Sequence, residues 1–126
     1  MATILIIEDS PDNMMLFRTV LSLKGHKIVG LPGGDDLFAT LAVGRPDLVL
    51  MDIQMPGKDG FALLAELRAS DYKDLRVIAL TAHAMAGDRD RALEAGFDGY
   101  ISKPIDIKMF PLQVGQALEG KMPNNV

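Results

Sequence analysis

Leu48-Val49-Leu50-Met51-Asp52 places four apolar side chains in succession and ends on a carboxylate. Alternating side chains on a strand point to opposite faces, so an unbroken apolar run needs cover on both sides, as in a parallel sheet sandwiched by helices. Ile4-Leu5-Ile6-Ile7 and Val77-Ile78-Ala79-Leu80 have the same character. These three runs are expected to form the central strands. Two further short runs complete a set of five: Thr3 to Ile7, Lys27 to Leu31, Asp47 to Met51, Arg76 to Thr81 and Gly99 to Ser102.

Between the runs, apolar residues recur every three or four positions, which is the helical period. Asp9-Ser10-Pro11 opens a first helix, with Leu16, Val20 and Leu23 on one stripe and Lys24-Gly25 closing it. A second helix is expected from about Asp35 to Val43, ending at Gly44. A third runs from about Asp59 to Ala69 with Phe61, Leu64 and Leu67 inward. The fourth, near Ala86 to Ala95, contains Asp88-Arg89-Asp90-Arg91 and should be the least firmly packed. The fifth, about Asp106 to Glu119, carries Ile107, Phe110, Val114 and Leu118 on one face. It also contains Pro111, and proline inside a helix costs roughly 3 kcal/mol, so this helix either begins late or bends. Strands alternating with helices through right-handed crossovers imply a flavodoxin-like α/β fold, a doubly wound parallel sheet in the order 2-1-3-4-5.

A length of 126 residues and 48% hydrophobic content suit one core, hence one domain over residues 1–120 with a short tail at 121–126. Charged residues make up 24% and the net charge is -4, so no basic surface for nucleic acid is expected. There is no cysteine, no apolar run long enough for a bilayer and no leader-like segment at Met1, which suits a cytoplasmic protein without membrane contact. The chain starts almost at its first strand and ends soon after its last helix, the expectation for a stand-alone molecule with no output domain.

In such sheets ligands bind beyond the carboxyl ends of the strands, near the switch in strand order. The residues there are Glu8 and Asp9 after the first strand, Asp52 after the third, Thr81 at the end of the fourth and Lys103 after the fifth. Two carboxylates about 5 Å apart repel by roughly 3 kcal/mol at an effective dielectric constant near 20. Three together raise a pKa or hold a cation, and hard oxygen donors favour Mg²⁺. A carboxylate nucleophile, a divalent ion, an ammonium and a hydroxyl are what phosphoryl transfer onto Asp52 requires.

Leu5-Ile6-Ile7-Glu8-Asp9, Leu48 to Pro56 with Asp59-Gly60, Ala79-Leu80-Thr81-Ala82, and Ala95-Gly96-Phe97-Asp98-Gly99-Tyr100-Ile101-Ser102-Lys103-Pro104 together resemble the CheY-like response-regulator receiver family, over about Thr3 to Leu118. Asp12-Asn13 and the segment Thr81 to Asp88 resemble more narrowly the DivK-type stand-alone regulators and the receivers of hybrid histidine kinases. The resemblance implies that Asp52 accepts a phosphoryl group from a sensor-kinase or phosphotransfer histidine. It further implies that Asp9, Asp52 and the Gln54 carbonyl ligate Mg²⁺, with Glu8 acting through water. Thr81 and Lys103 would hold the phosphate, Thr81 shifting toward it and Tyr100 turning inward. Ala82 would leave the phosphate accessible, and the Lys103-Pro104 bond would be cis. Such a protein is not a conventional enzyme but promotes its own phosphorylation and slow dephosphorylation. Its output would be protein binding through the face of the fourth helix, fifth strand and fifth helix.

Two other classes remain open from the residues. An aspartyl-phosphate phosphatase also places its nucleophile after an apolar strand, but Gln54 stands where it would need a second acid. The other class is a flavodoxin-like cofactor binder or a receiver serving only as a scaffold; the absence of tryptophan and of a glycine-rich loop after the first strand argues against the cofactor version. His83 reads as a loop residue, His26 as structural, and Met14 and Met15 as core fillers.

Overall fold

The computed structural model describes residues 2–55, 59–82 and 87–121. Along the chain come β1 (Thr3–Ile7), α1 (Pro11–Ser22), β2 (Lys27–Leu31), α2 (Leu37–Val43), β3 (Leu48–Asp52), α3 (Gly60–Arg68), β4 (Val77–Thr81), α4 (Asp88–Ala95), β5 (Gly99–Ser102) and α5 (Phe110–Leu118). The five strands form one parallel sheet in the order β2-β1-β3-β4-β5, as expected. Every residue of β3 and β4 is buried, which is why their sequences do not alternate.

The period of two divides the strand side chains between two cores. Leu5, Ile7, Val49, Met51, Val77 and Ala79 pack against α2, α3 and α4 through Leu37, Leu41, Leu63, Leu64, Leu67 and Ala92. Ile4, Ile6, Leu48, Leu50, Ile78, Leu80 and Ile101 face α1 and α5 through Phe17, Val20, Leu21, Phe110, Val114 and Ala117. Phe17 and Phe110 meet with ring centroids 5.3 Å apart, joining the two helices on that side.

Several local expectations are corrected. In α1 the buried stripe is Phe17, Val20 and Leu21, while Leu23 is 81% exposed. The helix stops at Ser22, so Leu23 falls at its C-cap and turns away from the sheet. Met15 is 69% exposed and fills no core; Met14 alone packs against the α1–α5 side. Asp47 precedes β3 and accepts the Thr3 amide at 2.8 Å, so the strand begins at Leu48 and includes Asp52.

The proline in the last helix is accommodated by a late start. α5 begins at Phe110, which puts Pro111 in the first turn where its missing N–H has no partner to lose. Asp106 instead closes the preceding turn, accepting the amides of Lys108 at 2.8 Å and Met109 at 3.2 Å. Ile107 lies in that turn, 60% exposed, and does not join the apolar face.

Asp59 caps α3, accepting the Ala62 amide at 2.9 Å. The next residue must be glycine: a Cβ at Gly60 would stand 2.7 Å from both the Asp52 carbonyl oxygen and Ile53 Cα. That close approach sets α3 directly against the end of β3. α4 is held differently. Ala92 is its one fully buried residue among those described, and its arginines lie over rings, Arg91 at 4.6 Å from the Phe61 centroid and Arg89 at 5.9 Å from that of Tyr100. Pro56, His83, the expected helix start at Ala86 and the tail from Met122 lie outside the described residues.

Candidate functional site

Strand register fixes which side chains share the carboxyl edge of the sheet. Ile7 pairs with Met51, Asp52 with Leu80, and Thr81 with Ser102. Glu8, Asp52, Thr81 and Lys103 therefore end or follow their strands at nearly one level. β1 is flanked by β2 and β3, so the edge beside it is the point where the chain switches direction across the sheet.

One carboxylate oxygen from each of Glu8, Asp9 and Asp52 lies within 4.8 Å of the other two. The Lys103 ammonium reaches in from β5 to Glu8 Oε1 at 2.8 Å and Asp52 Oδ2 at 3.0 Å. The Glu8 side chain is fully buried and that of Asp52 is 4% exposed. Charges so deeply placed persist only when paired and hydrogen-bonded. Main-chain and amide donors complete the pairing: Gln54 N donates to Asp52 Oδ1 at 3.0 Å, Asn13 Nδ2 to Glu8 Oε1 at 3.2 Å, and Ser10 N to Glu8 Oε2 at 3.4 Å.

Burial alone would lower the pKa of Lys103, but hydrogen bonds to Glu8 and Asp52 and the charges of both outweigh it and leave the pKa raised. Lys103 is therefore a fixed cation at neutral pH. Three carboxylates against one ammonium still leave surplus negative charge, with Asp9 exposed to solvent at the mouth of the site. All the anionic donors are hard oxygens, a set that fits a small divalent ion such as Mg²⁺.

The remaining predicted residues surround this centre. Thr81 is buried at the end of β4, and its carbonyl accepts the Lys103 amide at 2.7 Å. The Lys103-Pro104 peptide bond is cis. Ala82 is exposed and lines a cleft with Asn13, Leu16, Phe17, Lys103, Pro104 and Ile105. Tyr100 is half-buried against the α2–α4 side of the sheet, with its ring under Arg89. The Gln54 side chain is exposed. His26 accepts the Ala2 amide on Nδ1 at 3.3 Å, a structural role.

Ser10 and Asn13, read in sequence only as part of a helix opening and of a family resemblance, were not expected at the site, yet both touch Glu8. Their spacing is the visible signal: Ser10 Oγ accepts the Asn13 amide at 3.3 Å as the N-cap of α1, which holds that turn beside the acidic edge.

Residues 4–113 match the sequence pattern of the response regulator receiver domain. The chain belongs to this family. It is a receiver of two-component signalling, in which phosphorylation of an aspartate is typical; receivers bind Mg²⁺ in an acidic pocket and interact with histidine kinases and downstream targets. The receiver is 38% identical over 109 residues to the polar-differentiation response regulator DivK of Brucella anthropi, covering 86% of this chain and 89% of DivK. It is 39% identical over 106 residues to the sensor protein GacS of Pseudomonas syringae pv. syringae, covering 81% of this chain but 12% of GacS. Among solved structures, the receiver domain of the sensor histidine kinase PA1611 from Pseudomonas aeruginosa PAO1 superimposes with a TM-score of 0.84 at 29% identity. That match covers 94% of this chain and 98% of the other, whose active-site cleft coordinates a magnesium ion. No helix among the described residues is long and apolar enough to cross a membrane.

Proposed function

We propose that Asp52 is the phosphoacceptor of this receiver and that the acidic edge is its Mg²⁺ site. The observation that carries the reading is the buried Asp52 carboxylate held by Lys103 on one side and grouped with Glu8 and Asp9 on the other. In the forward step an Asp52 carboxylate oxygen attacks the phosphorus of an N-phosphohistidine. A P–O bond forms as the P–N bond breaks, and the imidazole leaves with the electron pair and takes up a proton. The product is an acyl phosphate, which water later hydrolyses to carboxylate and inorganic phosphate.

Asp9, Asp52 and the Gln54 carbonyl would hold a divalent ion, with Glu8 acting through water, and the ion would supply positive charge to the phosphoryl group. Lys103 transfers its hydrogen bond from Asp52 to a phosphoryl oxygen while Glu8 keeps the ammonium in place. The Thr81 hydroxyl moves toward the same group, and Tyr100 follows into the space it leaves. Ala82 and Pro104 border the cleft through which donor and water approach.

The downstream partner reads the α4-β5-α5 face. Support comes from the light packing of α4 and from the Arg89–Tyr100 contact that joins α4 to β5. The receiver unit spans residues 1–120, with 121–126 a tail, and works in the cytoplasm, where its kinase or phosphotransfer histidine is charged. The likeness to DivK, a response regulator, and to GacS, a sensor protein, supports a receiver in either setting.

Incubation with acetyl phosphate and Mg²⁺ followed by intact-mass measurement tests the reading. One phosphoryl adduct on the parent and none on Asp52→Asn is the expected result. An adduct on Asp52→Asn, or none on the parent at any Mg²⁺ concentration, overturns it.

A further inference from the structure

We infer that Asn13 is a positioning residue for the acidic site, holding the Glu8 carboxylate so that Glu8 serves Lys103 and the divalent ion at once. The inference rests on the reading of Asp52 and its ion site given above.

The geometry is specific. Glu8 Oε1 receives two donors, the Lys103 ammonium at 2.8 Å and the Asn13 amide at 3.2 Å. A carboxylate only accepts, so the nitrogen of the Asn13 amide must be the atom that faces it. Oε2 has a weaker partner, the Ser10 amide at 3.4 Å. The carboxylate is thus pinned by Oε1, and its other oxygen is only lightly used.

Asn13 itself is well anchored. Its main-chain amide donates to Ser10 Oγ at 3.3 Å, and it stands in the first turn of α1, one turn before the partly buried Leu16 and the core residue Phe17. Its side chain therefore approaches Glu8 from a rigid helix, whereas Lys103 approaches on a flexible stem with freely rotating donors. Asn13 fixes the plane of the carboxylate; Lys103 alone would not.

This matters because Lys103 is shared between Glu8 and Asp52. Without the Asn13 amide, Oε1 has one donor left, and the carboxylate is free to turn its plane toward the ammonium. Glu8 then pairs wholly with Lys103 and is withdrawn from Asp9 and Asp52. The ion site loses the support of its water-linked third carboxylate, an outer-shell loss of the kind that costs metal affinity about 10-fold.

Isothermal titration of the unphosphorylated protein with Mg²⁺, paired with acetyl phosphate labelling across Mg²⁺ concentrations, tests this on Asn13→Ala and Asn13→Gln. Asn13→Ala is expected to raise the Mg²⁺ dissociation constant about 10-fold. Its labelling should be slow at low Mg²⁺ and return to the parent rate at saturation, a split that general loss of structure does not produce. Asn13→Gln, which keeps an amide donor, should lie nearer the parent than Asn13→Ala in Mg²⁺ affinity. Parent-like Mg²⁺ binding by Asn13→Ala overturns the inference, as does slow labelling that saturating Mg²⁺ fails to restore. Failure of the parent itself to label on Asp52 would instead remove the functional reading beneath it.

Discussion

The Lys103 ammonium lies 3.0 Å from Asp52 Oδ2, so the carboxylate proposed to be phosphorylated is already held by a cation from just beyond β5 before any donor arrives. The same ammonium is 2.8 Å from Glu8, and one side chain therefore keeps two buried carboxylates apart in charge though close in space.

Replacing Lys103 with methionine leaves those two carboxylates facing each other without their counter-ion. Breaking a buried pair by removing one partner costs about 3 kcal/mol, and urea unfolding in the absence of divalent ions should show a loss of that order. Mg²⁺ should recover part of it, because the ion restores positive charge to the same cluster. Acetyl phosphate labelling of Asp52 should fall sharply at every Mg²⁺ concentration, since a phosphoryl oxygen loses its ammonium.

Gly60→Ala tests the junction between β3 and α3. The new Cβ would meet main-chain atoms of Asp52 and Ile53 at 2.7 Å, and backbone cannot step aside as a flexible side chain can. Overpacking of this kind costs about 1–3 kcal/mol, more than the few tenths to 1 kcal/mol gained by removing a helical glycine. A lowered urea midpoint is expected; an unchanged or raised one would show that α3 shifts freely.

Arg68 secures the far end of α4. Its guanidinium donates to the carbonyls of Lys73 at 2.8 Å, Leu75 at 2.6 Å and Gly96 at 2.8 Å and to the Asp98 carboxylate at 3.0 Å. Asp98 also accepts the Val77 amide at 2.8 Å. Arg68→Ala should cost about 2 kcal/mol and speed hydrogen exchange around residues 92–98, with little change in α1 or α5.

His26 gives the protein a pH dependence on its acid side. Its Nδ1 accepts the Ala2 amide, which requires the neutral ring, and partial burial is the leading cause of a pKa lowered from the ordinary value. The unfolded chain thus binds a proton that the folded chain resists. Stability is unaffected well above about pH 6.5 and falls as the pH drops from there through the lowered folded value. Urea midpoints measured from pH 7.5 to 5 should decline more in the parent than in His26→Gln.

Much of this architecture was visible in the residues because the strands speak plainly. Runs such as Leu48 to Met51 have no polar position, so both their burial and their place in the middle of the sheet follow from one property. The acidic edge was equally legible, since Glu8, Asp9 and Asp52 each stand at the exit of such a run. Helix faces were harder to read. Leu23 and Ile107 fit a helical period, but α1 ends just before Leu23 and α5 begins a turn after Ile107, and boundaries depend on caps and turns that periodicity does not register. The supporting roles of Asn13 and Arg68 were hidden for another reason. Each depends on side chains reaching across elements, to Glu8 in one case and to Gly96 and Asp98 in the other, and no local pattern encodes that reach.

The division of strand side chains between two separate cores has a consequence for how such a molecule diversifies. Residues 49 and 51 press on one layer of helices and residues 48 and 50 on the other, while Asp52 at the tip of the same strand belongs to neither. Substitutions beneath α2, α3 or α4 need not be matched by changes beneath α1 and α5. A listener proposed to rest on α4 and α5 together stands on both layers, so either half of its footing can change without unsettling the other.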